Sequence, residues 1–195
     1  MSEAVPASLL AALEALTESL QAAGIPAIVV GGVAASLLGR PRLTRDIDAL
    51  VDLSEDRWPD VLSAVRSFSI EPRIDDTLGF ARRTRVLLLR HVPSQIDIDV
   101  IFGGLPFERD AVTTGQTHSL GRFDIRLPRV EDLMIMKAVA QRPRDVMDLE
   151  ALLDTHPEAN LDRVRQWVRE FSTAAAMPDL LAGFDKLVAR ARARR

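Results

Sequence analysis

The sequence predicts an α+β fold, in which a core of strands and helices over residues 1–128 carries a C-terminal helical region, 129–195, packed against it. Three observations lead there. Strand-like apolar runs alternate with short helical patterns as far as Pro128. Only helical periodicity follows. A chain of 195 residues with 47% hydrophobic content can bury a sizeable core without staples.

Taken in order, Leu9, Leu10, Leu13, Leu16 and Leu20 recur at helical spacing over 8–23, and Gly24 follows as a helix stop. "IPAIVV" reads as a buried strand, Gly31-Gly32 as a turn, "VAASLLG" as a short helix and "RDIDALVD" as a second strand. Ser54 suits the N-cap of a helix over 55–67. "TRVLLLRHV" and "QIDIDVIF" flank a Pro93-Ser94 turn and are expected to pair as a hairpin. A short helix from Pro106 and a strand "RFDIRLP" come next. Helices are then expected over 130–141, 143–155, 160–173 and 178–193 as a C-terminal helical bundle.

Composition removes several chemistries. With no cysteine there are no disulfides, thiolate zinc sites or thiol nucleophiles, which fits a cytoplasmic location. His91, His118 and His156 lack the i, i+4 spacing of a zinc helix and read as surface or loop residues. A net charge of -3 argues against a scaffold held on nucleic acid mainly by phosphate contacts, although the terminal "KLVARARARR" is locally basic. The start "MSEAVPASLL" has no basic n-region, and no apolar run reaches the roughly 18 residues of a membrane span, so no membrane partner is expected.

The candidate chemistry lies in two D-I-D segments. Side chains alternate across a strand, so Asp46 and Asp48 share one face with Cα atoms about 6.6 Å apart, while Ile47 points into the core. Asp97 and Asp99 repeat the arrangement in "QIDIDVIF". One copy alone is what a one-sided exposed sheet produces by alternation. Two copies can converge three or four carboxylates, which repel unless a hard cation lies between them. A pair of ions about 3.5–4 Å apart held this way serves in-line phosphoryl displacement. The Gly31-Gly32 step lets backbone approach a phosphate at a helix N-terminus. It is neither a P-loop nor a dinucleotide fingerprint.

Apolar residues, Gly31-Gly32, a short helix and then "LTRDIDALV" resemble motif I of the polymerase-β-type nucleotidyltransferase superfamily. "IDVIFG" resembles the strand that bears its third acidic residue, and "RVEDLMIMKAVAQRPRDVMDLEALL" is similar to a helix pair of small bacterial members related to AbiEii-type toxins. The resemblance covers roughly residues 25–153. It implies a nucleotidyltransferase-like mixed β-sheet with flanking helices, and transfer of an NMP from an NTP to a hydroxyl acceptor, RNA/tRNA or a small molecule. It also implies two Mg²⁺ ions (Mn²⁺ serving as well) and a role in toxin-antitoxin or phage defence, with an antitoxin protein as partner. By residue, Asp46, Asp48 and Asp99 become metal ligands and catalytic residues, with Asp97 competing for the place of Asp99. Gly31 and Gly32 lie against the β/γ-phosphates. Where many relatives carry serine, Gly32 has no hydroxyl, and its contact passes to backbone N–H groups, Thr44 or Arg45.

Among the later helices, Glu131 and Asp132 fall in a first turn where negative charge favours the helix dipole. Lys137 is one of only two lysines in the chain. A compact ammonium suits an NTP phosphate, whereas a stem covering the core edge is the structural alternative. Asp145 is a candidate support for Lys137, and Asp148 has Arg144 at i, i+4 spacing. The terminal arginines read either as a solvated helix end or as an RNA contact. The alternative to an active transferase is a catalytically weak nucleotide-binding or protein-interaction module that retains the fold. A serine hydrolase is disfavoured, since no G-x-S-x-G elbow occurs.

Overall fold

The computed structural model describes residues 6–194. The acidic start of the chain, up to Val5, and Arg195 of the basic tail lie outside the described residues. The fold is mixed α+β, and the chain forms two compact units. One comprises the residues up to Val33 together with Arg42–Pro128, the other Ala34–Pro41 together with the residues from Arg129 onward.

In the first unit a five-stranded sheet forms from β1 (Ala27–Val30), β2 (Asp46–Val51), β3 (Ile70–Pro72), β4 (Val86–His91) and β5 (Ile96–Phe102), in the order β1-β2-β5-β4-β3. Only the β2–β5 pair is parallel; β1–β2, β3–β4 and β4–β5 are antiparallel. The expected β4–β5 hairpin is present. Its turn is tight enough to put Gln95 at φ 56°. Helix α1 (Ala7–Ala22) buries Leu9, Leu13, Leu16 and Leu20, the leucines of its 3.6-residue stripe, and packs on β2 and β5. Gly24, just past its end, is left-handed at φ 63°.

Alternation on the central strands is nearly complete. Ile47, Ala49 and Val51 of β2 and Ile98, Val100 and Phe102 of β5 are at most 1% exposed, which turns the aspartates to the opposite face. Phe102 stacks on Trp58 with ring centroids 4.1 Å apart, and the Trp58 indole N–H donates to the Leu53 carbonyl at 3.2 Å. Trp58 opens α3 (Trp58–Arg66), which a 3₁₀ turn, Glu55–Arg57, precedes. Ser54 stands at the start of that turn but its side chain makes no cap hydrogen bond, so the expected Ser54 cap is not formed.

Three short elements escape the periodicity reading: β3, α4 (Thr77–Thr84) and β6 (Gln116–Ser119). Helix α5 (Pro106–Thr113) starts at the expected proline, with the Glu108 carboxylate accepting from the Gly104 and Leu105 N–H groups at 2.8 and 2.9 Å. Strand β7 (Asp124–Leu127) pairs antiparallel with β6 as a separate two-stranded sheet.

The second unit holds a run of helices forming a bundle: α6 (Val130–Ala140), α7 (Pro143–Thr155), α8 (Leu161–Ala174) and α9 (Asp179–Ala193). Its first-turn acids do more than meet a dipole. Glu131 accepts from the Asn160 N–H at 2.9 Å, and fully buried Asp132 pairs with Arg129 and Arg163 at 2.8 Å each, tying α6 to the start of α8. Among the described residues no helix is long and apolar enough to cross a membrane.

Candidate active site

The parallel register of β2 and β5 sets Asp46 opposite Asp97 and Asp48 opposite Asp99, so four carboxylates project from one face of two adjacent strands. A parallel pair was not evident from the sequence, yet it is what brings the two D-I-D segments side by side. The glycine step meets them. Helix α2 (Gly31–Leu38) begins at Gly31 itself, so the two glycines form the first turn of the helix rather than a separate loop.

Gly31 is left-handed at φ 64°, and a Cβ built on it would fall 1.8 Å from Oδ2 of Asp48. The Asp48 carboxylate therefore lies against bare backbone at the start of α2. At Gly32 a Cβ would fall 2.6 Å from the Thr44 hydroxyl oxygen and 3.3 Å from an Arg42 nitrogen. Thr44 thus fills the space a residue-32 side chain would need, and its hydroxyl donates to Asp46 Oδ1 at 3.0 Å. Arg45 is exposed beside it.

The β5 acids are not equivalent. Asp97 accepts from Arg90 at 2.7 Å and from Arg73 at 2.9 Å. The Arg90 hydrogen bond, helped by the Arg73 charge, holds its carboxyl below the usual range against the opposing effect of burial. Among the described residues Asp99 is paired with Arg73 and no second arginine. Burial pushes its carboxyl above the usual range; Asp46 and Asp97 push the same way, and Arg73 opposes them without cancelling. Both acids touch Arg73, but only Asp97 also accepts from Arg90; without that second arginine, desolvation decides the sign at Asp99.

Arg73 and Arg90 are site residues that sequence reasoning missed, and Arg73 was the harder to foresee. It follows β3, an element too short to show periodicity, and in the strand order it must reach past β4 to touch β5.

The chemistry of the donor set fits a hard divalent cation, because Asp46, Asp48 and Asp99 present carboxylate oxygens from one face and a cation, the Arg73 guanidinium, already rests on Asp99. Among the described residues no three acidic or histidine side chains are yet arranged to hold a metal ion. Asp97 and Asp99 are turned instead to arginine.

In the helical unit Lys137 is 5% exposed, with its ammonium 2.9 Å from both Asp145 Oδ1 and Asp148 Oδ2. Asp145 supports Lys137 as expected, but Asp148 pairs with Lys137 rather than with Arg144. At α6–α7 spacing the buried lysine reaches it, whereas Arg144 stays exposed. Burial alone would raise the Asp145 carboxyl; hydrogen bonds from Arg142 and Lys137 outweigh it and hold the group below the usual range.

The histidines are less superficial than their sequence setting suggested. His91 is 6% exposed at the end of β4, where burial lowers its pKa, and is hydrogen-bonded to Ser94 at 2.7 Å. His156 reaches the Leu38 carbonyl at 2.6 Å.

A profile of the family described as "Nucleotidyl transferase AbiEii toxin, Type IV TA system" matches residues 13–194. The chain belongs to the AbiEii nucleotidyltransferase family. That membership supports nucleotidyl transfer as its general activity, and it agrees with the Gly-Gly and D-I-D placement above. Solved structures with a similar fold include an antigenic nucleotidyltransferase-like protein from Paracoccidioides brasiliensis (15% identity, 93% of this chain and 94% of that chain, TM-score 0.56). The antibiotic-resistance factor ANT(2'')-Ia is another (12% identity, 86% and 92%, TM-score 0.56). A third is the lincosamide antibiotic adenylyltransferase LnuA, lincomycin-bound (14% identity, 77% and 98%, TM-score 0.52). At these identities the likeness shows the fold alone. No curated protein sequence matches the chain significantly.

Proposed function

We propose that this AbiEii-family protein moves an NMP from an NTP to a hydroxyl acceptor, releasing pyrophosphate, with Mg²⁺ held by Asp46, Asp48 and Asp99. The observation that carries the reading is the β2–β5 register, which sets Asp48 opposite Asp99 while Asp48 rests on left-handed Gly31. Bound there, two Mg²⁺ or Mn²⁺ ions supply charge neutralisation of the triphosphate and activation of the acceptor oxygen.

The chain's own groups do the rest. Backbone N–H groups of Gly31 and Gly32 at the α2 N-terminus, with Thr44 and Arg45, receive the β/γ-phosphates. Asp99, raised by burial, takes the acceptor proton as general base, a better match to that task than Asp97 with its two arginines. Lys137 donates two of its three N–H groups to Asp145 and Asp148, which leaves one for an NTP phosphate.

For the acceptor, a small hydroxyl-bearing molecule is proposed over RNA/tRNA, and two features within the helical unit are compatible with it. A cavity of about 270 Å³ lies among α6, α7 and α9, lined by Lys137, Gln141, Leu149, Phe184 and Lys186. Near the basic end of the chain, Arg194 pairs with Asp154 at 3.0 Å. An antitoxin protein as partner, and a cytoplasmic location, complete the proposal. The second reading, a catalytically weak module, is favoured by Arg73 already holding both β5 acids.

Incubating the protein with each labelled NTP, Mg²⁺ and either total tRNA or a metabolite extract tests the transfer and the acceptor. Label in a small-molecule product is the expected result. Label in tRNA overturns the acceptor assignment, and no transfer to either leaves the weak module as the better reading.

A further inference from the structure

We propose that Arg73 is a built-in counter-cation of the acidic site, occupying Asp99 in the metal-free protein and releasing it when a divalent ion binds, so that it sets the affinity for metal. The inference rests on the reading of Asp46, Asp48 and Asp99 as metal ligands. Its own support is the placement of one guanidinium.

Arg73 is anchored by its backbone: its N–H donates to the Leu88 carbonyl at 3.0 Å, which fixes the residue after β3 to β4. From there one arm of the fork reaches Asp97 Oδ2 at 2.9 Å and the other reaches Asp99 Oδ1. The side chain is largely covered, at 22% exposure, and its buried Nε has no hydrogen-bond partner among the described residues. Asp97 does not depend on Arg73, because Arg90 holds it directly across the β4–β5 pair. The part of the fork without a substitute is the contact to Asp99, the acid opposite Asp48.

A monovalent guanidinium and a divalent ion both seek the same Asp99 oxygens, so occupation by one weakens the other. The arginine offsets part of the repulsion among the neighbouring carboxylates when no divalent ion is bound. It also raises the concentration of metal needed to fill that site.

The test is Mn²⁺ binding by calorimetry and electron paramagnetic resonance, with melting temperature in EDTA and in saturating Mn²⁺, on the wild-type protein, Arg73→Ala and Arg73→Lys. Arg73→Ala should bind Mn²⁺ about ten- to a hundredfold more tightly, the range spanned by one charge-assisted hydrogen bond. It should melt lower than wild type in EDTA and gain more on adding Mn²⁺. Arg73→Lys keeps a charge but loses the rigid planar fork and the reach of the guanidinium, so it should fall between the two and remain informative if the alanine variant folds poorly. Equal Mn²⁺ affinity in all three proteins overturns the counter-cation role while leaving the metal site standing. Weaker binding in the variants makes Arg73 a support for the ligands and also overturns it. No Mn²⁺ binding in any of them overturns the metal reading itself, and this inference with it.

Discussion

Gly31 answers two separate demands, a left-handed backbone and a carboxylate against its α-carbon, and only glycine meets both. Gly31→Ala should destabilise the protein by about 1–2 kcal/mol through backbone strain. It should also push Asp48 off the site, so transfer falls far more than stability does. Chemical denaturation and a transfer assay on one preparation check this, and parallel small losses would show that the contact is incidental. Asp46→Asn or Asp48→Asn should abolish transfer with unchanged or slightly raised melting temperature, because removing one of two facing like charges relieves repulsion. A marked fall in melting temperature would instead make these residues structural. Asp97→Asn and Asp99→Asn should differ: Asp97 is neutralised by two arginines, Asp99 by one, so the heavier loss of transfer is expected at Asp99. Asp97 and Asp99 look alike in the sequence, since D-x-D gives both the same face; their arginine partners, one of them on an aperiodic segment, separate them.

At the scale of elements, what could be read in advance was what carries its own period. The leucine stripe of α1, the alternation in β4 and β5, and the start of α5 at Pro106 all appear where local spacing put them. Strands β3 and β6, three and four residues long, and α4, eight, are too short for a period to emerge. No local signal states that β2 runs parallel to β5, because register is a property of two strands, and that pairing builds the site. The α6–α7 pair shows the same limit: the sequence offered Asp148 a partner four residues away, but the fold supplied Lys137 from the neighbouring helix. Removing that lysine takes away the cation shared by two buried carboxylates, of which Asp145 keeps Arg142, so Lys137→Ala should cost about 3 kcal/mol. If its third N–H also reaches the triphosphate, NTP affinity should drop about ten- to a hundredfold, with partial recovery in Lys137→Arg. Unchanged affinity in the folded fraction would confine Lys137 to the helix pair. Asp145 adds a pH signature. Its folded pKa lies below the unfolded value of about 3.9, so its contribution is fully present above that pH and is lost as pH falls through the lower folded value. The stability gap between wild type and Asp145→Asn, measured by urea titration, should therefore close in that acid window; a gap independent of pH would contradict the ion pair.

For the whole molecule, the account makes the chain a nucleotidyltransferase by family and fold, and proposes an active, metal-dependent one by its carboxylate register. Composition narrowed this early, since a chain without cysteine or a metal-spaced histidine pair has chiefly carboxylates with which to hold an ion. The most direct test follows the fate of the two ends of the triphosphate. Purified protein is supplied with NTP labelled at either the α- or the γ-phosphate, Mg²⁺ and a metabolite extract, with a parallel sample in EDTA. The account predicts that α-label moves to the acceptor, γ-label leaves as pyrophosphate, and both events stop in EDTA. Transfer of the γ-label, or α-label transfer that persists in EDTA, would contradict it.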